Sequence, residues 1–188
     1  MAATLKRNPR LWRACSALAL MASFPACGGG SPSAPGNPDP STPGVAVPNE
    51  GWVHVPEGSA INYVSNPPAS GPHYPVWLRY QAYSTPMARG YWVHNLEHGA
   101  IVVLYRPDAP ADIVRQITDA FRAIPVDPLC GHQRAVLTPD PLLPRLTAVV
   151  AADFVLLGDS VDAAAIRAFA VARRGHGPEQ LCDQGTRP

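Results

Sequence analysis

The hydrophobic positions of this chain change their period several times, and each change marks a boundary. Residues 14–24 are mostly apolar, behind the basic residues Lys6, Arg7, Arg10 and Arg13. From 28 to 48 large apolar side chains nearly vanish and Gly, Ser and Pro take over. Trp52, Val53 and Val55 predict a short strand, Pro56, Glu57 and Gly58 a turn, and 61–64 another short strand. Residues 65–92 then hold Pro67, Pro68, Pro72, Pro75 and Pro86 with Gly71 and Gly90, a content that neither a helix nor a central strand tolerates. A connection of that length is uncommon unless it is functional. Its aromatics, Tyr74, Trp77, Tyr80, Tyr83, Tyr91 and Trp92, are expected to pin it to the body of the domain.

Residues 100–105 form a continuous β-rich apolar run, the mark of a buried strand. Asp108 and Pro110 make a helix start, and Ile113, Val114, Ile117, Ala120, Phe121 and Ile124 recur at helical spacing until Pro125. Strands are predicted at 135–138 and 146–152, with 154–157 extending or following the second. Ser160 is placed to cap a second helix over 161–174, with Val161, Ala165, Ile166, Phe169 and Ala170 inward and Gly175 as its stop. The order predicts an α+β fold: a small mixed sheet covered by two helices, with a long Pro/aromatic-rich loop.

The first 26 residues have the basic start, apolar middle and small residue before the cut of a secretory signal. Their apolar run is too short for a permanent membrane span. Cys27 directly after Ala26 points to a bacterial lipoprotein with Cys27 as the lipidated N-terminus. Phe24 and Pro25 depart from the usual Leu and small residue, which keeps simple cleavage as the alternative. Residues 27–49 then read as a lipidated cysteine and a disordered spacer, unable to bury enough surface to offset ordering entropy. Residues 50–188 are left as one domain of ordinary size, expected on the periplasmic face of the cell membrane through its lipid anchor.

Four of the 15 Lys and Arg precede Cys27, so the exported part keeps 11 basic residues against 14 acids. Nucleic-acid binding is disfavoured, because it needs a clustered positive footprint. Cys130 and Cys182 remain after the signal and the anchor are set aside. In an exported protein the simplest expectation is one disulfide between them; a pair of soft metal ligands near His132 and His176 is the alternative.

The densest chemistry is VHNLEHG at 93–99, two imidazoles and a carboxylate within five residues. His54 and His73 lie upstream. His94, Glu97 and His98 match the pattern H-x-x-E-H, which serves zinc peptidases only on a helix, where residues four apart share a face. Gly99 and a strand follow at once, so only about one helical turn is expected, and no later segment offers an obvious third carboxylate. Metal binding without that helix is the stronger expectation: His73, His94 and His98 converging, Glu97 as a fourth ligand or as the acceptor that orients a ring, and Met87 nearby. Imidazoles suit copper, zinc and nickel, and a thioether favours Cu(I). The competing explanation is structural, with histidines locking a Pro-rich loop through backbone carbonyls. Asn66, Ser70 and Gly71 are accounted for by turns, Trp77 and Trp92 by packing, and Asp108, Asp112 and Asp162 by helix N-termini.

Two longer motifs, S-N-P-P-x-S-G-x-H-Y-x-x-W at 65–77 and V-H-x-L-E-H-G-x-x-V-x-x-Y at 93–105, resemble the hallmarks of a bacterial family known as domain of unknown function 3105. The resemblance extends to Val55-Pro56-Glu57-Gly58 and Gly177-Pro178-Glu179 and covers most of residues 52–181. It implies an exported or membrane-anchored domain, often a lipoprotein, and no established activity. The family's motif histidines fall on His73, His94 and His98, with Glu97 beside them, which strengthens the metal expectation. The first expectation is therefore a non-catalytic envelope module that binds copper, or zinc, through His73, His94, His98, Glu97 and Met87. The second is a scaffold presenting Tyr74, Trp77 and Tyr83 to a peptide, glycan or protein partner. The third is a metal-dependent hydrolase with Glu97 as base.

Overall fold

The apolar runs of the second half become the strands of one mixed sheet. The computed structural model describes residues 42–187, so the expected signal peptide, the Cys27 anchor and most of the spacer lie outside the described residues. In chain order the elements are β1 (Val45–Ala46), α1 (Arg89–Glu97), β2 (Ile101–Tyr105), α2 (Ala111–Arg122), β3 (Ala135–Pro139), β4 (Thr147–Ala151), β5 (Phe154–Gly158) and α3 (Ala163–Arg173). The sheet order is β1-β5-β4-β2-β3. Only β2 and β3 run parallel, joined by a crossover through α2; the other neighbours are antiparallel. This is the expected α+β class.

Alternation along the central strands feeds two cores. Ile101 and Val103 of β2, Ala135 and Leu137 of β3, and Val149 and Ala151 of β4 pack with Ile117, Phe121, Ile166 and Phe169 of α2 and α3. Val102, Leu104, Val136, Ala148 and Val150 face the other way, onto Trp92, Val93 and Leu96 of α1 and onto Ala69, Tyr74 and Leu78 of the long loop. The two predicted helices therefore cover one face, and the Pro/aromatic segment with a third helix covers the other. Burial on both faces is why the strands read as unbroken apolar runs.

Several local expectations are corrected. Asp108 pairs with Arg106 and does not cap α2, whose N-cap position is Pro110 with no side-chain cap. The cap of α3 is Asp162, whose carboxylate accepts from the Ala165 amide at 2.9 Å; Ser160 lies two residues too early. Segments 52–55 and 61–64 are not strands, because they run against the loop and not along the sheet; His54 makes a single parallel bridge with His73. At the N-terminal side, Val45 and Ala46 pair with Val155 and Phe154, and the Asn49 amide reaches the Asp153 carboxylate at 2.9 Å. Sheet pairing thus begins ahead of residue 50, inside the stretch expected to be spacer.

The largest correction is α1. The segment expected to be irregular through 92, with about one turn after it, contains a helix of 9 residues. Every one of them except Arg89 is buried, and the helix has neither an amphipathic period nor a side-chain N-cap. Its stability comes from its surroundings. A Cβ on Gly90 would lie 2.8 Å from the Tyr74 ring, so glycine here lets the loop close on the helix. Asn95 exchanges two hydrogen bonds with the Leu78 backbone, at 2.8 and 3.0 Å. Arg89 binds Asp140 at 2.8 Å and Asn66 at 2.7 Å.

Behind α1 the chain's last segment is fastened in the same manner. The Gly175 amide donates to the Gly99 carbonyl at 2.7 Å, and the Glu179 amide to the Glu97 carbonyl at 3.0 Å. Buried Arg134 pairs with Asp127 at 2.6 Å and donates to the His98 and Leu181 carbonyls. Cys130 and Cys182 form the expected disulfide, across a separation of 52 residues. A loop of that size constrains the unfolded chain by about 4 kcal/mol in the chain-entropy model. Replacing both cysteines with alanine is expected to lower unfolding stability by roughly that amount, read as a fall in the urea midpoint; an unchanged midpoint would refute it.

Candidate metal centre

The N-terminal arm is laid beside the loop by residues of the first motif. The Glu50 amide donates to Ser70 Oγ at 2.8 Å, the Gly71 amide donates to the Gly51 carbonyl at 2.7 Å, and Glu50 in turn accepts from the Val64 and Ser65 amides. Ser70, Gly71 and Asn66 thus tie distant segments together and do not close local turns; Asn66 donates to the Leu142 carbonyl and accepts from Arg89. The arm then makes one β-bridge: the Val55 amide donates to the His73 carbonyl at 2.8 Å, and the His73 amide to the Val53 carbonyl at 2.9 Å. That register sets His54 and His73 side by side, ring centroids 4.9 Å apart. Helix α1 supplies the rest, because its last turn carries His94 and Glu97, with His98 at its C-cap.

The four groups meet at one carboxylate oxygen. Glu97 Oε2 lies 3.0 Å from His73 Nε2, 3.6 Å from His54 Nε2 and 3.7 Å from His94 Nε2. One donor atom from each of these four residues falls within 4.8 Å of all the others. Bonds of about 2.0–2.1 Å to a tetrahedral ion place its donors about 3.3 Å apart, so the observed spacings match an imidazole–carboxylate shell.

The backs of the rings say which nitrogens are free to bind. His73 Nδ1 faces the Gly71 carbonyl at 2.8 Å, and His94 Nδ1 faces the Tyr74 carbonyl at 2.6 Å. A carbonyl only accepts, so both Nδ1 atoms carry a proton, and both Nε2 atoms are turned toward Glu97. This is the outer hydrogen bond that metal-binding histidines make. Burial pushes the His94 pKa down to about 3 against the pull of its Tyr74 hydrogen bond, with His98, His73 and His54 lowering it further. Burial lowers His98 too, opposed by Glu179 and Glu97. Both rings are therefore neutral near pH 7.

His98 does meet His94, with Nε2 atoms 3.2 Å apart, but it belongs to a second group. Its Nε2 is also 3.2 Å from the Glu179 carboxylate, and its buried Nδ1 has no partner. Glu97, His98 and Glu179 form a second set of donor atoms within 4.8 Å of one another. His54 completes the first set and was not placed there from sequence; its position one residue before the family-like segment at 55–58 was the available signal.

Met87 does not join them. Its amide donates to Thr138 Oγ1, and Thr138 pairs with Leu104 toward the C-terminal end of β2, whereas His98 precedes the N-terminal end of that strand. The thioether argument for Cu(I) falls with it. Tyr74 is buried, its hydroxyl donating to the Ser59 carbonyl, and so it offers no loop surface. Tyr83 is half-buried and its hydroxyl contacts the Arg79 and Arg187 carbonyls. Trp77 lies against the centre, 4.9 Å from the His94 ring and 4.5 Å from the His98 ring. The H-x-x-E-H segment is helical after all, and Glu97 turns its Oε2 toward three imidazoles.

Fold and site together define a small mixed α+β domain with a buried histidine–carboxylate cluster under a Pro/aromatic wrap. The chain belongs to the family described as protein of unknown function (DUF3105), whose model matches residues 54–185 and so takes in every residue of the cluster. No curated protein and no solved structure matches it. Among the described residues no helix is long and apolar enough to cross a membrane.

The low pKa of His94 has a stability consequence with a definite sign. Between its ordinary 6.5 and about 3 the unfolded chain binds a proton that the folded chain refuses. Stability of the metal-free protein should therefore fall as pH drops below about 6.5 and be flat in this term above it. His94→Asn, which keeps a donor for the Tyr74 carbonyl, should show a shallower fall in urea midpoints measured in chelator; equal slopes would contradict the assignment.

Proposed function

We propose that this protein is a non-catalytic metal-binding module of the bacterial cell envelope, exported by residues 1–26 and held at the membrane by a lipid on Cys27. Its resident ion is a divalent first-row metal, zinc foremost, on His54, His73, His94 and Glu97. One observation carries the metal assignment: the Nε2 atoms of three imidazoles converge on one carboxylate oxygen. His73 and His94 turn their Nδ1–H groups to backbone carbonyls, which aims both Nε2 atoms at Glu97. A cation is the partner such a set lacks.

Donor type and spacing favour zinc. Three imidazoles and one carboxylate suit Zn(II) and Cu(II), and nothing soft stands in the set to favour Cu(I). Four protein donors fill a tetrahedral shell, the arrangement of sites that hold an ion in place without opening it to substrate. The ion would also offset a costly feature of the protein without it, a carboxylate that is 7 % exposed among imidazole rings.

Elemental analysis of the full-length protein isolated from the envelope should find about one tightly held zinc per chain, lost in His73→Ala/His94→Ala without loss of the fold. Ion at 100 times its dissociation constant should stabilise the wild type by about 2.7 kcal/mol, so chelation should lower its melting temperature. A folded wild type that takes up neither Zn(II) nor Cu(II) refutes the metal reading. For the anchor, metabolic labelling with palmitate should mark the wild type and not Cys27→Ser; no label on the wild type refutes it.

A further inference from the structure

The first set leaves out two ionisable groups that touch it. His98 Nε2 lies 3.2 Å from His94 Nε2 and 3.2 Å from Glu179 Oε2. His98 Nε2 is thus shared between a second imidazole and a second carboxylate. Glu97 and Glu179 find only imidazoles as ion-pair partners among the described residues. Glu97, His98 and Glu179 each bring a donor atom to one place.

Glu179 is also delivered to this place deliberately. A Cβ on Gly177 would overlap the Leu96 and Glu97 carbonyls, so only glycine lets the tail run against the end of α1. The Glu179 amide then donates to the Glu97 carbonyl at 3.0 Å, which fixes its side chain over His98. The disulfide and Arg134 hold the same tail from the other side. This is a costly arrangement for a carboxylate whose only role would be a half-exposed contact with a neutral ring.

We propose that the centre is dinuclear: Glu97 bridges the first ion to a second divalent ion bound by His98 Nε2 and Glu179. The inference rests on the metal reading of the first set. A carboxylate has an oxygen for each of two ions, and paired ions stand about 3.5–4 Å apart in such centres, a spacing that a shared Glu97 accommodates. The two positions are unequal. The first has four protein donors, and two of its rings are braced by carbonyls. The second has three donors, one of them 52 % exposed, and a ring whose Nδ1 has no acceptor. The second ion is therefore the weaker and the exchangeable one, with a coordination position open to water or to a small anion.

Zinc titration of the metal-free full-length protein, followed by calorimetry and by elemental analysis after desalting, tests this directly. The wild type should bind two equivalents, the second at least tenfold more weakly, and a chelator should strip the weaker ion first. Glu179→Ala keeps the backbone bond to Glu97 and should bind one equivalent, with Glu179→Gln behaving likewise. One equivalent in both wild type and variant overturns the dinuclear assignment and leaves the first site standing. Two equivalents in both overturns the role of Glu179. No binding in either overturns the metal reading beneath it.

Discussion

Helix α1 has no solvent face, and most of the molecule is arranged to make that possible. A short helix is marginal alone, and this one contains Gly90, a β-branched Val93, three aromatic or imidazole rings and no side-chain cap. It is held from outside. The arm and loop from 49 to 88 wrap it, Asn95 serves as a surrogate strand partner for Leu78, and Arg89 ties its start to Asp140. The glycines after α1 and α3 let the tail reach its end. A segment so enclosed must satisfy its polar groups internally, and the result is a cluster of rings and carboxylates turned toward one another.

The same enclosure separates the roles of similar side chains. His73, His94 and His98 are all buried, but two of them are braced by carbonyls and one is not. Trp77 and Trp52 lie against the rings and wall the cluster, while His54, half-exposed, is the edge through which solvent reaches it. The buried Arg134–Asp127 pair lies outside this cluster and does another job: it binds the His98 carbonyl and the tail, so the end of α1 and the start of β2 are fixed by a charge that does not pair with the cluster.

How much of this could be taken from sequence follows from where each signal is written. Strands β2 to β4 and helices α2 and α3 announce themselves, because burial on both faces gives apolar runs and burial on one face gives a helical stripe; β5, partly exposed, still reads as an apolar run. The disulfide follows from cysteine count and export. Helix α1 does not announce itself: a helix buried all round has no period, and its glycine is there for Tyr74 and not for a turn. The cluster was half legible. His73, His94, His98 and Glu97 stand in dense motifs, but the partnership of His54 depends on a single β-bridge, and that of Glu179 on a tail folding back across about eighty residues. Met87 was drawn in by sequence proximity alone, and the far end of α1 keeps it away.

Because α1 lacks any local reason to be a helix, His94, Glu97 and the C-cap His98 come together only once the wrap has closed. The donors come from residues 54, 73, 94, 97, 98 and 179, so no single piece of the chain presents them together. The centre is thus a late product of assembly. A nascent or partly unravelled chain offers scattered, ordinary histidines, and the finished domain offers a cage. On the proposed metal reading, ion capture would act as a latch on completed folding, and a chain cut before the tail would lose Glu179 while still carrying every residue of the first four-donor set.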